Sequence, residues 1–283
     1  MRVGVVGAGP VGQGLGRLVE EADNELLLAT TGRPPRRKLP LGDHREVGRF
    51  ADLILMAGPA WEVRENLDLL KLEARHRVVL FTRGLDAEDG PWLSELVPRR
   101  TACLRAGVLA GPFIAQEVLK GIPTALVVSS RYDEVCRLTT EALHGRRCRV
   151  YANGDPRSVE LAATMVSILA VAIGVSDTMG MGVGTRGVVV SRGLAEANRL
   201  ALALKVDPAA LFGLAGIGEL VAATSHPKHP SYLTGREILN GIDRKATEPI
   251  RAAGAALGAA RRLGVELPLA QAIYAIAHGK LAA

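Results

Sequence analysis

The spacing of apolar positions changes once along the chain. Up to about residue 150, short runs of β-branched and leucine residues alternate with stretches in which apolar side chains recur every three to four positions. This is the pattern of strands joined by helices that cover both faces of a mainly parallel sheet. The runs predict strands at residues 3–6, 25–29, 53–56, 78–81, 107–109, 124–128 and 149–151. After Asn153-Gly154-Asp155-Pro156, a turn-forming sequence, the strand signals stop. Residues 158–175, 187–204, 208–214 and 246–263 are rich in Ala, Leu, Val and Gly and predict a helical domain with a mostly buried core. The expected division is therefore an α/β domain over residues 1–154 and an all-α domain over 155–283. A substrate cleft between them is the usual place for a small ligand.

The first strand leads directly into Gly7-Ala8-Gly9-Pro10-Val11-Gly12, and an amphipathic stretch follows. A strand feeding GxGxxG and a helix is the arrangement that holds a dinucleotide in a Rossmann-type domain. The first glycine permits the tight turn, the second lets the backbone approach the pyrophosphate, and the third lets helix pack on strand. Gly7, Gly9, Pro10, Val11 and Gly12 are the expected cofactor contacts. An NAD-specific site usually carries an acidic residue about 20 residues further on, at the end of the second strand. This chain instead has Thr30-Thr31-Gly32-Arg33-Pro34-Pro35-Arg36-Arg37. The Thr31 hydroxyl and the Arg33 and Arg36 guanidinium groups suit a 2′-phosphate, which favours NADP(H) over NAD(H). A solvated basic loop is the alternative.

Charge and composition narrow the partners. The net charge of +6 comes without a Lys/Arg tract interleaved with aromatics, and at 4% aromatic content there is little to stack on bases. Nucleic acid is therefore not expected, and small anionic metabolites account more simply for the positive balance. The uncharged apolar run at residues 162–175 falls short of the ~20 residues of a membrane span. The sequence opens in a strand without signal or transit features. Cys103, Cys136 and Cys148 are scattered and lack metal-ligand spacing, consistent with a reducing cytosol and inert thiols.

Several segments, in order, resemble the NAD(P)-dependent glycerol-3-phosphate dehydrogenases. They include the opening glycine motif, Asp52-Leu53-Ile54-Leu55-Met56-Ala57-Gly58-Pro59, and Val108-Leu109-Ala110-Gly111-Pro112 leading to Ala115-Gln116-Glu117-Val118. Val159-Glu160-Leu161, Gly174 and Asp177, Ser191-Arg192-Gly193-Leu194-Ala195-Glu196, Gly213-Leu214-Ala215-Gly216-Ile217-Gly218 and Gly264-Val265-Glu266-Leu267-Pro268-Leu269 continue the series. The resemblance implies an oxidoreductase that dimerises through its helical domain. It adds Pro59, Ala115 and Glu248 to the cofactor contacts and Gly111 to the substrate loop.

The family's substrate positions can be checked singly, and most depart. Its Thr-Lys-Gly at the end of the fourth long strand is Thr82-Arg83-Gly84 here, a cation that cannot shuttle protons. The position of its proton-transferring lysine is Val166, and the neighbouring asparagine is Ser167. The serine after Gly-Pro is Phe113, which would make a larger, more apolar pocket wall. With Gly235 in register, the aspartate after Gly218 and the threonine four residues on fall on Glu219 and Ala223, and the substrate-gripping Ser-Arg-Asn falls on His229, Pro230 and Ser231. Oxidising an alcohol needs a group that takes the hydroxyl proton as hydride leaves, and valine cannot.

Other residues could carry that role. His226 and His229 lie in a Pro-broken segment, expected to be an accessible loop, and titrate where a general acid must; loop histidines without a role are the alternative. With Lys228 but no spaced carboxylate or cysteine partner they make only a weak metal signal, and no metal is expected. Asp177 follows Val166 by about three helical turns and would share its face, or else cap the helix. Glu219 retains a carboxylate for substrate or water. Arg83 would hold a substrate anion or carbonyl, or else take a surface or salt-bridge role, and Ser231 would line the pocket. Arg186 and Arg192 are expected to pair with helical carboxylates, and Trp61 to pack over the cofactor cleft. Three readings follow: an oxidoreductase for a small oxo, hydroxy or imino substrate other than glycerol 3-phosphate; a glycerol-3-phosphate dehydrogenase; or a catalytically silent dinucleotide-binding sensor or scaffold.

Overall fold

The computed structural model describes residues 1–30, 39–85 and 92–281. They form two compact units, Met1–Thr82 with Trp92–Pro156, and Arg83–Pro91 with Arg157–Ala283.

The first unit is built on eight strands: β1 (Arg2–Val6), β2 (Glu25–Ala29), β3 (Leu41–Gly42), β4 (Leu53–Met56), β5 (Arg77–Leu80), β6 (Arg105–Ala110), β7 (Thr124–Ser130) and β8 (Cys148–Asn153). Their order in the sheet is β3-β2-β1-β4-β5-β6-β7-β8, and all pairings are parallel except β6 with β7. Helices α1 (Pro10–Glu21), α2 (His44–Phe50), α3 (Val63–Leu70), α4 (Leu96–Arg100), α5 (Ala115–Lys120) and α6 (Asp133–Leu143) connect them. The central strands read as continuous apolar runs because both faces are covered, and Leu53, Ile54, Leu55 and Met56 of β4 are all buried. The switch in strand order falls at β1, flanked by β2 and β4, so the β1–α1 turn lies where open α/β sheets bind ligands. The two-residue edge strand β3 has no apolar run to announce it.

The second unit is helical: α7 (Pro156–Thr178), α8 (Gly182–Ala203), α9 (Glu219–Ser225), α10 (Pro230–Leu239), α11 (Glu248–Arg262) and α12 (Pro268–Ala277). Helix α7 is long and apolar enough to cross a membrane by length and composition, but its apolar window is buried inside the protein, as a core helix is. Residues 208–218, expected to be one short helix up to 214, form instead a 3-10 segment followed by a single π-helical turn, Leu214–Gly218. Two backbones meet where α7 crosses α10. A Cβ on Gly174 would lie 2.3 Å from the Tyr232 carbonyl oxygen, and one on Gly235 would lie 2.1 Å from that of Val171. Only glycine permits that approach.

Candidate functional site

The three glycines after β1 do separate work. Gly7 has φ +105°, a conformation that favours glycine, and its N–H donates to the Ala29 carbonyl at 2.9 Å, tying the turn to the end of β2. A Cβ on Gly12 would stand 1.7 Å from the Gly7 carbonyl oxygen, so the third glycine is what lets α1 close on its strand. A Cβ on Gly9 would meet nothing within 4 Å. Gly9 is exposed and caps α1, with Pro10 at the first helical position, where its missing N–H costs nothing. This leaves an open, side-chain-free helix N-terminus, the surface a pyrophosphate needs, so the residues present fit a dinucleotide. Nearby, Thr82 Oγ1 donates to the Gly58 carbonyl at 2.9 Å and fastens the segment after β5 to the turn that carries Pro59. Thr31, Arg33 and Arg36 lie outside the described residues.

In the second unit, polar side chains gather at the start of α9 and α10. The π turn before α9 is wound so tightly that a Cβ on Gly216 would lie 1.9 Å from the Leu211 carbonyl oxygen, and it delivers Glu219 into the interior at 2% exposure. Glu219 Oε1 accepts a hydrogen bond from Arg83 Nη2, and His229 Nε2 lies 3.6 Å from the same oxygen. Burial pushes the His229 imidazole below its usual pKa; the Glu219 carboxylate opposes this and the Arg83 guanidinium adds to it. Glu219 Oε2, His226 Nδ1 and His229 Nδ1 are buried and have no partner among the described residues.

His229 is therefore not in an accessible loop. It caps α10 and is 4% exposed, while His226 is half-buried on the turn before it, where the His229 N–H bonds the His226 carbonyl at 2.9 Å. The reading as a loop took Pro230 for a breaker, but it occupies the first helical position, and the Gly174–Gly235 crossing holds α10 against α7. Ser231 follows in the first turn and is buried. Arg83 takes the salt-bridge role: its partner is Glu219, with side-chain exposures of 21% and 3%.

Val166 is 1% exposed and packed with Leu169, Ala170, Ile173, Leu220 and Ala223, and Tyr232 packs against the same cluster. Asp177 accepts from the Tyr232 hydroxyl at 2.9 Å, with Arg186 Nη1 at 3.8 Å, so it is neither a cap nor an isolated acid. Tyr232 was not foreseen, because only the helix crossing brings it to Asp177. Ser167 donates to the Thr164 carbonyl.

Phe113 needs correction too. It is 4% exposed in the core of the first unit, edge-on to Phe81 at 5.2 Å, and its ring fills the space where a Cβ on Gly14 would be. That packing makes it a core residue, not a pocket wall. Gly111 has φ +133°, and a Cβ there would lie 2.9 Å from the Ala125 carbonyl oxygen, so its glycine serves the backbone between β6 and β7. Ala115 opens α5, Pro59 caps a one-turn 3-10 helix that includes the exposed Trp61, and Glu248 opens α11. Among the described residues no group of three His, Cys, Asp or Glu side chains could hold a metal ion.

Profiles described as the N-terminus and C-terminus of NAD-dependent glycerol-3-phosphate dehydrogenase match residues 39–136 and 155–283. A glycerol-3-phosphate dehydrogenase [NAD(P)+] of Leptothrix cholodnii is 34% identical over 82% of this chain and 71% of its own length. The chain belongs to the NAD(P)-dependent glycerol-3-phosphate dehydrogenase family. A glycerol-3-phosphate dehydrogenase [NAD(P)+] of Acidobacterium capsulatum is 30% identical across 99% of this chain and 94% of that protein. The crystal structure of the glycerol-3-phosphate dehydrogenase from Coxiella burnetii superposes with a TM-score of 0.90 at 26% identity, covering 99% of this chain and 95% of that one. The Rossmann-type domain followed by a helical domain is thus the family's fold, and the family is one of NAD(P)-dependent dehydrogenases acting on a CH–OH donor. The cofactor is a nicotinamide dinucleotide.

Proposed function

We propose that this member of the glycerol-3-phosphate dehydrogenase family is an oxidoreductase for a small oxo, hydroxy or imino compound other than glycerol 3-phosphate, with His229 moving the proton. One observation carries the reading: the position of the family's lysine, Val166, is sealed in an apolar cluster, while the same helical unit holds a buried imidazole facing a carboxylate. The nicotinamide, when bound, exchanges the hydride. His229 Nδ1 takes the hydroxyl proton in oxidation and returns it in reduction, while its Nε2–H faces Glu219 Oε1. Glu219, itself held by Arg83, orients the ring and stabilises the imidazolium that forms. A lowered pKa suits the base, since the imidazole is neutral and ready at pH 7.

The second reading, glycerol-3-phosphate dehydrogenase, has the more direct support from the relatives' names and from 34% identity to one of them. The residues at 166, 229, 230 and 231 speak against it. Steady-state reduction of dihydroxyacetone phosphate, beside a panel of unphosphorylated ketones and imines, separates the two. We expect little or no turnover of the phosphate ester, and efficient turnover would overturn the first reading. Absence of cofactor-dependent turnover with every compound would favour the silent sensor. NADPH should bind more tightly than NADH by about 1–2 kcal/mol if two guanidinium contacts form, since charge-assisted bonds are the strong ones; equal affinities in calorimetry would refute the arginine argument. The family resemblance also supports a cytosolic homodimer.

A further inference from the structure

We infer that His226 is the proton relay of this site, carrying protons between the buried His229 ring and solvent. The inference rests on the proposed reading of His229 as the group that moves the substrate's proton. Once His229 has taken that proton it is an imidazolium at 4% exposure, and burial works against its charge. The proton must leave before the next turnover, and in reduction it must be resupplied. His229 has no open path of its own, because Nδ1 is buried and Nε2 faces Glu219 Oε1 at 3.6 Å.

Three ionisable groups act on the His229 ring: Glu219, Arg83 and His226. A guanidinium such as that of Arg83 keeps its protons and cannot pass them on. Glu219 and the Ser231 hydroxyl on the same helix are as buried as His229 itself, at 2% and 3% exposure, so a proton passed to either stays inside. Lys228 is exposed, but an ammonium group has no lone pair to receive a proton. His226 differs on each count. It is half-buried, so part of the residue meets solvent, while its Nδ1 is buried and, like His229 Nδ1, lacks a partner among the described residues. The His229 N–H bonds the His226 carbonyl at 2.9 Å, which fixes both residues on one tight turn, and charge on His226 is felt at His229. Imidazole is also the side chain that both gains and loses a proton near neutral pH. In oxidation the substrate hydroxyl proton moves to His229 Nδ1 and then to His226 Nδ1, directly or across one water molecule, and His226 releases the proton of its Nε2 to solvent. Proton exchange with water returns His226 to the Nε2–H form. Reduction runs the same steps in reverse, and no charge accumulates in the interior.

The test is 15N NMR of the histidine rings in the full-length protein without dinucleotide, with signals assigned through His226→Gln and His229→Gln. The quantity read is the rate at which His229 exchanges between its neutral and protonated forms near its titration midpoint, in dilute buffer and as free imidazole is added. In the native protein the rate should not depend on imidazole. In His226→Gln it should fall about a hundredfold, the low end of what a positioned acid–base group contributes, and recover as imidazole is added. That rescue separates a relay from a structural role, because a small base replaces a missing proton carrier and not a missing strut. Lys228→Gln should exchange at the native rate. An unchanged rate in His226→Gln, a slowed rate that imidazole does not restore, equal slowing in Lys228→Gln, or a His229 ring that takes up no proton in the folded protein overturns the inference. If His226→Gln fails to fold, the native protein decides alone, since a native rate that climbs with imidazole would show that no built path exists. Relay behaviour in these spectra with no compound turned over would instead remove the oxidoreductase reading and leave the proton path.

Discussion

Replacing Val166 by lysine restores the residue that the resemblance places at this position and asks whether this site could still use it. Val166 is 1% exposed among Leu169, Ala170, Ile173, Leu220 and Ala223, none of which can accept a hydrogen bond from an ammonium group through its side chain. An amine buried there should titrate about 3 units below its ordinary value near 10.4, and at 1.36 kcal/mol per unit this destabilises the fold by about 4 kcal/mol at neutral pH. The sign follows from linkage. The unfolded chain binds the proton more readily, so the penalty is full below the folded pKa near ~7 and fades as pH rises towards ~10. The assay is urea unfolding of Val166→Lys against Val166→Met, whose side chain is long but uncharged, at pH 7 and pH 10. The expected gap is about 4 kcal/mol at pH 7 and under about 1 kcal/mol at pH 10. Two results would refute the reasoning: equal stability at pH 7, which would mean that the ammonium finds polar company, and recovery of glycerol 3-phosphate oxidation by this single change.

Gly9→Ala should leave the melting temperature nearly unchanged, because its Cβ meets nothing within 4 Å, yet weaken dinucleotide binding at least about tenfold in calorimetry. Gly12→Ala, whose Cβ would stand 1.7 Å from the Gly7 carbonyl oxygen, should lose both stability and binding. Because the folded His229 pKa is lowered, the native protein loses stability as pH falls below the ordinary imidazole value of ~6.5. The drop in urea midpoint from pH 7.5 to 5.5 should shrink in His229→Gln, and an unchanged drop would contradict this. Glu196 is 5% exposed and accepts the Leu269 N–H at 2.7 Å and the Ala270 N–H at 3.3 Å, capping α12. Glu196→Ala should cost about 2–3 kcal/mol in chemical denaturation, as expected when buried donors lose a charged partner.

The sheet was legible because each of its longer strands is an apolar run bounded by polar or turn residues, and the glycine motif could be placed on it by position alone. Strand β3 escaped because two residues at an edge leave no pattern. Helix α10 escaped because Pro230, which sits at its first helical position, looks like a breaker when only the local sequence is read. The site was legible as a set of residue types and not as an arrangement. Glu219, His226 and His229 could be singled out from the sequence, but the pairing of Glu219 with Arg83, far apart along the chain, and the burial of His229 beside it could not. Phe113 was misread for the same reason, since what draws its ring inward is the missing side chain at Gly14, about a hundred residues away.

The contact of Gly174 with Tyr232 and of Gly235 with Val171 separates what the chain must keep from what it can exchange. In the register that the resemblance sets, both glycines match the family, whereas residues 229–231, at the start of α10, differ. A helix pinned at its middle by backbone contact does not depend on its first turn for its position, so that turn can be rewritten without moving the scaffold. Evolvability in this fold is thus concentrated at a helix end. New specificities could be sought by randomising residues 226–231 while leaving Gly174 and Gly235 alone.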